Sequence, residues 1–372
     1  MNETPASDSP TWYTNPTARE WRTTPAPAEV RAFHTALPDH APTPLTELPV
    51  LAAELGVGRV LVKDESARLG LPAFKALGTS WAVHRILAER PEGTEPGALT
   101  LVTATDGNHG RALARMARRF GRRAHVFVPR GVHPAAVAAL SAEGARVTQV
   151  EGPYDDAVSA AAEAAAAPDA VLVQDTAWPG YERIPGWIVE GYSTLFGEID
   201  AQLAEAGARP PGLVAVPVGV GSLAQAAVTH YRSRPSGTAA TALLSVEPQA
   251  APCVLESLHR QEAVSVTTGE TAMAGLNCGT PSHLAWPHLR GGLDAAVAVT
   301  EDAARTAARD LAALGVPAGP CGAASLAGVR AAVSGPHASE RRAAQGLTAE
   351  STVVLLSTEG PAANPQFQQE RP

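Results

Sequence analysis

The stretch "LPAFKALGTSWAV", residues 71–83, places Lys75 between Phe74 and Ala76 in otherwise apolar and small company. Among 29 basic residues only this one and Lys63 are lysines. Where a plain positive charge serves, this chain writes arginine, so a retained lysine points to a need for an amine. An arginine stays charged in a protein, whereas a lysine can shed its proton and attack a carbonyl carbon. Lys63, inside the strand-like "LVKDE", reads as a paired surface or edge lysine.

Two further segments carry chemistry. In "TATDGNHGRALARMA", residues 103–117, Asp106, Asn108 and His109 sit together between a strand pattern and a helix pattern. Asn108 offers both a donor and an acceptor, suited to a ring hydroxyl or a carboxylate. His109 reads either as an acid/base residue or, more commonly for a histidine at a helix start, as a structural hydrogen-bonder. In "VPVGVGSLAQAAV", residues 216–228, Gly219 and Gly221 let the backbone approach an anion closely, and Ser222 opens a helix whose free N–H groups favour negative charge. No Gly-Lys-Ser/Thr follows, which excludes a P-loop, and no third glycine completes a dinucleotide fingerprint. Taken alone, this motif is equally a tight strand-to-helix turn.

The elements that must position these residues follow from hydrophobic rhythm. β-Branched runs at 59–65, 99–105, 124–129, 145–150, 170–176, 212–218, 242–248, 294–300 and 352–358 read as strands, separated by Ala/Leu/Arg stretches of helical length. This predicts an α/β chain with mostly parallel sheets covered on both faces. In such folds chemistry gathers beyond the strand ends. Four predicted strands run into polar or glycine-rich turns: "ATDGNHG", "QDTAWPG", "PVGVGSLAQ" and "LLSTEGP".

A length of 372 residues allows two domains, and 45% hydrophobic with 18% charged residues describes an ordinary globular protein. The net charge of -8 and the lack of a basic cluster beyond Arg118, Arg119, Arg122 and Arg123 argue against nucleic acid or an anionic membrane as partner. Those four arginines read as a solvated helix end. No long apolar run and no basic start followed by an apolar stretch is found, so a cytoplasmic protein is expected. Cys253, Cys278 and Cys321 lack metal-site spacing and read as buried inert thiols, with a Cys253–Cys278 bridge left open. The first 40 residues, rich in Pro, Thr and Ala, predict an extended or partly disordered segment.

Together, "AFK", "DGNHG", "GVGS" and "STEG", in this order, resemble the fold-type II family of pyridoxal-phosphate enzymes over residues 45–361. The resemblance narrows to the diaminopropionate ammonia-lyases on "KDESARLGLPAFKALG", "ATDGNHGRALA", "PYDDAV", "VQDTAWPGYERIPGWIVEGYSTL", "SVEPQAAPC" and "MAGLNCGTPS". Serine and threonine dehydratases usually carry Ser or Thr at the position of Asp106 and lack the "QDTAW" stretch.

The resemblance implies a two-domain fold, each domain with a mostly parallel twisted sheet flanked by helices. The large cofactor domain would span 41–80 plus 190–372 and the small domain 81–189. It implies pyridoxal 5'-phosphate as cofactor, with Lys75 as its Schiff-base lysine and Asn108 facing the ring hydroxyl. Gly219, Val220, Gly221 and Ser222 would hold the phosphate, and Thr358, or less favourably Ser357, would meet the pyridine nitrogen. A neutral hydroxyl at that nitrogen favours elimination over transamination.

The reaction implied is α,β-elimination on 2,3-diaminopropionate or a close β-substituted alanine, through aminoacrylate to pyruvate and ammonia. Asp106 and Asp175, both just past strand ends, would be the bases for the two α-carbon configurations. A homodimer is implied as well. The alternative is another fold-type II enzyme, a hydroxy-amino-acid dehydratase or a cysteine synthase-like β-replacement enzyme. One departure bears on that choice: where the lyases commonly show Gly-Glu-Ser-Gly-Ala, this chain reads "GPCGAAS", Gly319 to Ser325.

Overall fold

A computed structural model describes residues 11–90, 99–105, 107–235 and 240–364. Eleven strands lie in these residues: β1 Trp12–Thr14, β2 Leu45–Glu47, β3 Arg59–Asp64, β4 Thr100–Ala104, β5 Arg123–Pro129, β6 Arg146–Val150, β7 Ala170–Leu172, β8 Leu213–Pro217, β9 Ala242–Pro248, β10 Ala295–Val299 and β11 Thr352–Ser357. They form two sheets. One has seven strands in the order β1-β10-β9-β8-β11-β3-β2, and the other four in the order β6-β5-β4-β7. All pairings are parallel except the two edges of the larger sheet, where β1 runs antiparallel to β10 and β2 to β3.

The inner strands are apolar because helices cover both faces. β8, β9, β10 and β11 are buried at every residue. One face of the larger sheet packs on the helices Arg183–Glu205 and Ser222–Arg232 and the other on Glu301–Ala313 and Pro320–Val333, giving two apolar clusters on opposite sides of the sheet. Helix Lys75–Ala88 crosses helix Arg183–Glu205 at Gly78 and Gly191. A Cβ at Gly78 would lie 2.6 Å from the Ile188 carbonyl oxygen, and one at Gly191 2.6 Å from that of Leu77, so only glycine permits this approach.

Nine strands match the runs read from the sequence, with ends moved by a residue or two; the run at 170–176 stops pairing after Leu172 and leaves Asp175 in the following turn. The three-residue edge strands β1 and β2 were not anticipated. The segment expected to be extended or partly disordered is more ordered than that over residues 11–40. It contributes β1, a 3-10 turn at Ala18–Glu20 and the helix Glu29–Thr35, anchored by buried Val30 and His34.

Lys63 also departs from expectation. It is paired but fully buried, because β2 covers the edge beyond β3. Its Nζ donates to Glu198 Oε2 (2.7 Å), Gln202 Oε1 (2.9 Å) and the Thr43 carbonyl (2.8 Å). Of the four arginines expected at a helix end, only Arg118 and Arg119 close the helix, on Glu143 and Asp39, while Arg122 lies in the connection that follows and Arg123 begins β5 and pairs with Asp169.

Candidate active site

Parallel strands within a sheet deliver their C-terminal ends to the same edge, and here the candidate residues of both sheets meet. Lys75 opens helix Lys75–Ala88, and the preceding residue, Phe74, donates its N–H to the Thr358 carbonyl just past β11 (3.1 Å). Asp175 lies in the turn after β7. Gln174 pins that turn: its side chain accepts from Thr103 Oγ1 (2.7 Å) and the Ala104 N–H and donates to the Ala104 carbonyl (3.0 Å), tying β7 to β4. The result is a contact between the sheets, Lys75 Nζ to Asp175 Oδ2 at 2.6 Å.

This pair is mostly buried, with the Lys75 side chain 21% and the Asp175 side chain 12% exposed. Burial works against both charges, but each supports the other: Asp175 holds the Lys75 amine above its ordinary range, and Lys75 with His109 holds the Asp175 carboxyl well below the usual carboxylate range. The proton therefore rests on Lys75, and Asp175 is an ionised carboxylate beside it.

Helix Asn108–Arg119 starts beyond β4 with Gly107 at its N-cap. Asp106 lies outside the described residues. Asn108 donates Nδ2 to Glu359 Oε2 (2.7 Å), while its Oδ1 is buried without a hydrogen-bond partner among the described residues. His109 Nε2 bonds the Val173 carbonyl (2.8 Å) and turns Nδ1 toward Asp175 Oδ2, 3.8 Å away. It is a structural hydrogen-bonder on one nitrogen and a neighbour of the candidate base on the other.

The loop after β8 brings Gly219, Val220, Gly221 and Ser222 to the start of helix Ser222–Arg232. Gly221 adopts φ 98°, and no side chain caps the helix, which leaves its first N–H groups to a ligand. The loop is packed tightly from behind. A Cβ at Gly221 would lie 2.6 Å from Leu289 Cδ1, and one at Gly219 2.9 Å from Cys278 Sγ. Ser222 spends its hydroxyl on the Asp175 carbonyl (2.8 Å), a second link between loop and base. Val220 accepts the Ser282 N–H (2.8 Å), and Ser282 Oγ in turn accepts from the Ala177 N–H (3.0 Å).

At the end of β11, Ser357 is fully buried with its Oγ toward Gly322, where an added Cβ would stand 3.0 Å away. Successive residues of an extended chain face opposite ways, so Thr358 turns from that helix. All three cysteines are free thiols, Cys253 and Cys321 buried and Cys278 half-buried.

Two residues were missed from sequence. Glu359 lies inside the quoted "STEG" yet carries a fully buried carboxyl, and Tyr192 lies inside "GYSTL" with its hydroxyl buried and without a hydrogen-bond partner among the described residues. Burial pushes the Tyr192 phenol up, so it stays a neutral hydroxyl near Lys75 and Asp175. Scarcity of lysine singled out Lys75, but nothing local in the sequence tells a buried glutamate from a solvated one. A cavity of about 370 Å³ lined by Ile86, Arg90, Val171 and Trp187 includes none of these side chains.

The residues present fit pyridoxal phosphate. An amine stands beside a base, an uncapped helix start can meet a phosphate, and a buried amide oxygen of Asn108 awaits a partner. The comparisons agree. The family model of the pyridoxal-phosphate dependent enzymes matches residues 36–359. The diaminopropionate ammonia-lyase of Salmonella typhimurium is 40% identical over 281 residues, 70% of this chain and 69% of that protein. That of Escherichia coli K12 is 34% identical over 352 residues, 89% of this chain and 87% of that protein. The crystal structure of the Escherichia coli enzyme in complex with an aminoacrylate-PLP azomethine reaction intermediate superposes with a TM-score of 0.85 at 31% identity, covering 96% of this chain and 95% of that one. With a family model spanning most of the chain and relatives at 34% to 40% identity over most of its length, the chain belongs to the pyridoxal-phosphate dependent enzymes, among the diaminopropionate ammonia-lyases.

Proposed function

We propose that this protein eliminates the β-amino group of 2,3-diaminopropionate, giving pyruvate and ammonia. The observation that carries the reading is the Lys75–Asp175 contact of 2.6 Å, an amine and a carboxylate brought together from two sheets. The activity of the relatives supplies the substrate.

When bound, pyridoxal phosphate supplies an aldehyde for the substrate amine and a conjugated ring that takes up the electrons released at the α-carbon. The chain does the rest. Uncapped N–H groups at Gly219 to Ser222 would hold the phosphate, Asn108 would face the ring oxygen, and Thr358 would offer a neutral hydroxyl to the ring nitrogen. Asp175, ionised and within hydrogen-bond reach of Lys75, accepts the α-proton of the L-substrate. Asp106 serves the D-substrate. Lys75 Nζ delivers a proton to the departing β-nitrogen, which must leave as neutral ammonia.

Purified protein supplied with L- and D-2,3-diaminopropionate, and separately with serine, threonine and O-acetylserine, should release pyruvate and ammonia fastest from 2,3-diaminopropionate. Turnover of serine or threonine with none of 2,3-diaminopropionate would favour the dehydratase reading, which Pro320 and Cys321 keep in view. A β-replacement enzyme would need an added nucleophile. A cytoplasmic homodimer belongs to the same proposal, and sedimentation of the purified protein tests the dimer. No helix among the described residues is long and apolar enough to cross a membrane.

A further inference from the structure

Glu359 takes no part in the reaction as outlined, yet it occupies an unusual position. The residue is 3% exposed. Oε2 accepts from Asn108 Nδ2 (2.7 Å), and Oε1 accepts from Asn364 Nδ2 (2.5 Å) and the Cys321 N–H (3.4 Å) at the start of helix Pro320–Val333. Gly319 is what lets it lie there, since a Cβ at that position would stand 2.8 Å from Oε1. The groups facing it are the Asn108 and Asn364 amides and the thiol and N–H of Cys321, none of them a cation. No ion pair to Glu359 is formed among the described residues. Arg111, on the same helix as Asn108, is engaged with the Ala362 carbonyl (3.3 Å). A buried carboxyl without a counter-charge is costly to ionise, and burial raises its pKa against the pull of these hydrogen bonds.

The carboxyl has two states, and they ask opposite things of Asn108. Ionised, it can only accept, so it draws Nδ2 to itself and leaves Oδ1 facing away as an acceptor. Protonated, it can donate to Oδ1, and the amide turned over presents Nδ2 instead. Among the described residues the Asn108 side chain has no other hydrogen-bond partner to fix its orientation, because its Oδ1 is buried and unpartnered there.

We propose that Glu359 is a positioning residue that sets, through the Asn108 amide, whether the cofactor's ring oxygen meets an acceptor or a donor, and so whether that oxygen keeps or sheds its proton. The inference rests on the reading that Asn108 faces the ring oxygen. The ring oxygen draws its proton from the nitrogen by which Lys75 would hold the cofactor: with Glu359 ionised, that proton sits on the ring oxygen and Oδ1 accepts from it; with Glu359 protonated, it returns to the nitrogen and Nδ2 donates to an ionised ring oxygen, so the site as a whole takes up one proton as pH falls. An anion on both sides of one neutral amide, in a dry site, is the arrangement disfavoured.

The signature is optical. An ionised ring oxygen shifts the bound cofactor's absorption to longer wavelength than a protonated one, so raising pH through the Glu359 titration should move intensity from the long-wavelength band to the short-wavelength band. The experiment records absorption spectra of the substrate-free holoenzyme from mildly acid to mildly alkaline pH for wild type, Glu359→Gln and Asn108→Ala. Bound cofactor is quantified after alkaline release and folding is followed by circular dichroism. Glutamine keeps the shape but cannot titrate, and alanine cuts the link while leaving Glu359 in place. The expected result is a band ratio that moves with pH in wild type and stays fixed in both variants. An identical pH profile in wild type and in either folded, cofactor-loaded variant, or no pH response in wild type, would overturn the inference. Failure of wild type to bind the cofactor would instead remove the reading of the site on which it rests.

Discussion

Lys75 is the residue on which the proposed chemistry turns, and its contact with Asp175 defines the tests at this scale. Lys75→Ala and Lys75→Arg should lose the visible band of covalently held cofactor, since neither offers a neutral amine to an aldehyde. A band surviving in Lys75→Ala would sink the assignment. Asp175 stands 2.6 Å from the amine, and Asp175→Asn keeps its size while removing its basicity. Breaking a C–H bond into the conjugated system requires that bond to stand perpendicular to the ring plane, so one base serves one face. Asp175→Asn should therefore lose at least about 100-fold in kcat on L-2,3-diaminopropionate, the lower end for a general base, while Asp106→Asn loses it on the D-enantiomer. Equal, modest losses in all four combinations would discard two-base catalysis. Lys75, Asp175 and Asn108 were legible because their residue types are rare or sit at turns after strands. Glu359 and Tyr192 were not, because their significance lies in burial against residues from other elements, Asn108 and Cys321 for Glu359 and Gly78 for Tyr192.

At the scale of elements, the inner strands were legible because burial on both faces demands unbroken apolar runs, as in β8 and β11. β1 and β2 were not, because three residues at an edge carry too little pattern to separate them from loop. The loop proposed to hold the phosphate illustrates a different limit. From sequence, Gly221 is needed so that an anion can approach the backbone. In the structure the constraint comes from behind as well, from φ 98° and from Leu289 Cδ1 at 2.6 Å from an added Cβ. Gly221→Val must displace the loop itself, so the affinity for pyridoxal phosphate should fall by at least about tenfold, equivalent to ~1.4 kcal/mol, near the lower range of strained-backbone costs. Equilibrium titration of the cofactor-free variant checks this. Wild-type affinity would mean that the phosphate binds elsewhere.

Across the whole molecule, the helix Arg183–Glu205 joins parts that no local pattern connects. Its Glu198 accepts from Lys63 of β3 (2.7 Å), twice from Arg68 (2.8 and 2.7 Å) and from the Thr43 N–H (3.3 Å), and lies 3.3 Å from His40. Arg68 binds Glu65 as well, so segments 40–43, 63–68 and the helix share one buried hub of charge. Burial alone would raise the Glu198 pKa, but hydrogen bonds and charge from Arg68 and Lys63 outweigh it and bring it down to about 2. The folded state thus holds this proton less tightly than the unfolded chain. The associated stability is fully present above the unfolded value of 4.5 and is lost as pH falls toward 2, and it amounts to on the order of 3 kcal/mol. His34 and His40 act earlier, because burial keeps both neutral and their stability contribution starts to fall below the unfolded value of 6.5. Glu198→Gln separates the two. It should lower stability at neutral pH, because Lys63 and Arg68 lose a buried partner, and it should flatten the decline in urea midpoint between pH 4.5 and 2.5 while leaving a decline between pH 6.5 and 4.5. If the variant lost stability below pH 4.5 as steeply as wild type, the acid sensitivity would have to lie with other carboxylates, and the hub would be an ordinary set of ion pairs and not the fastening between these segments.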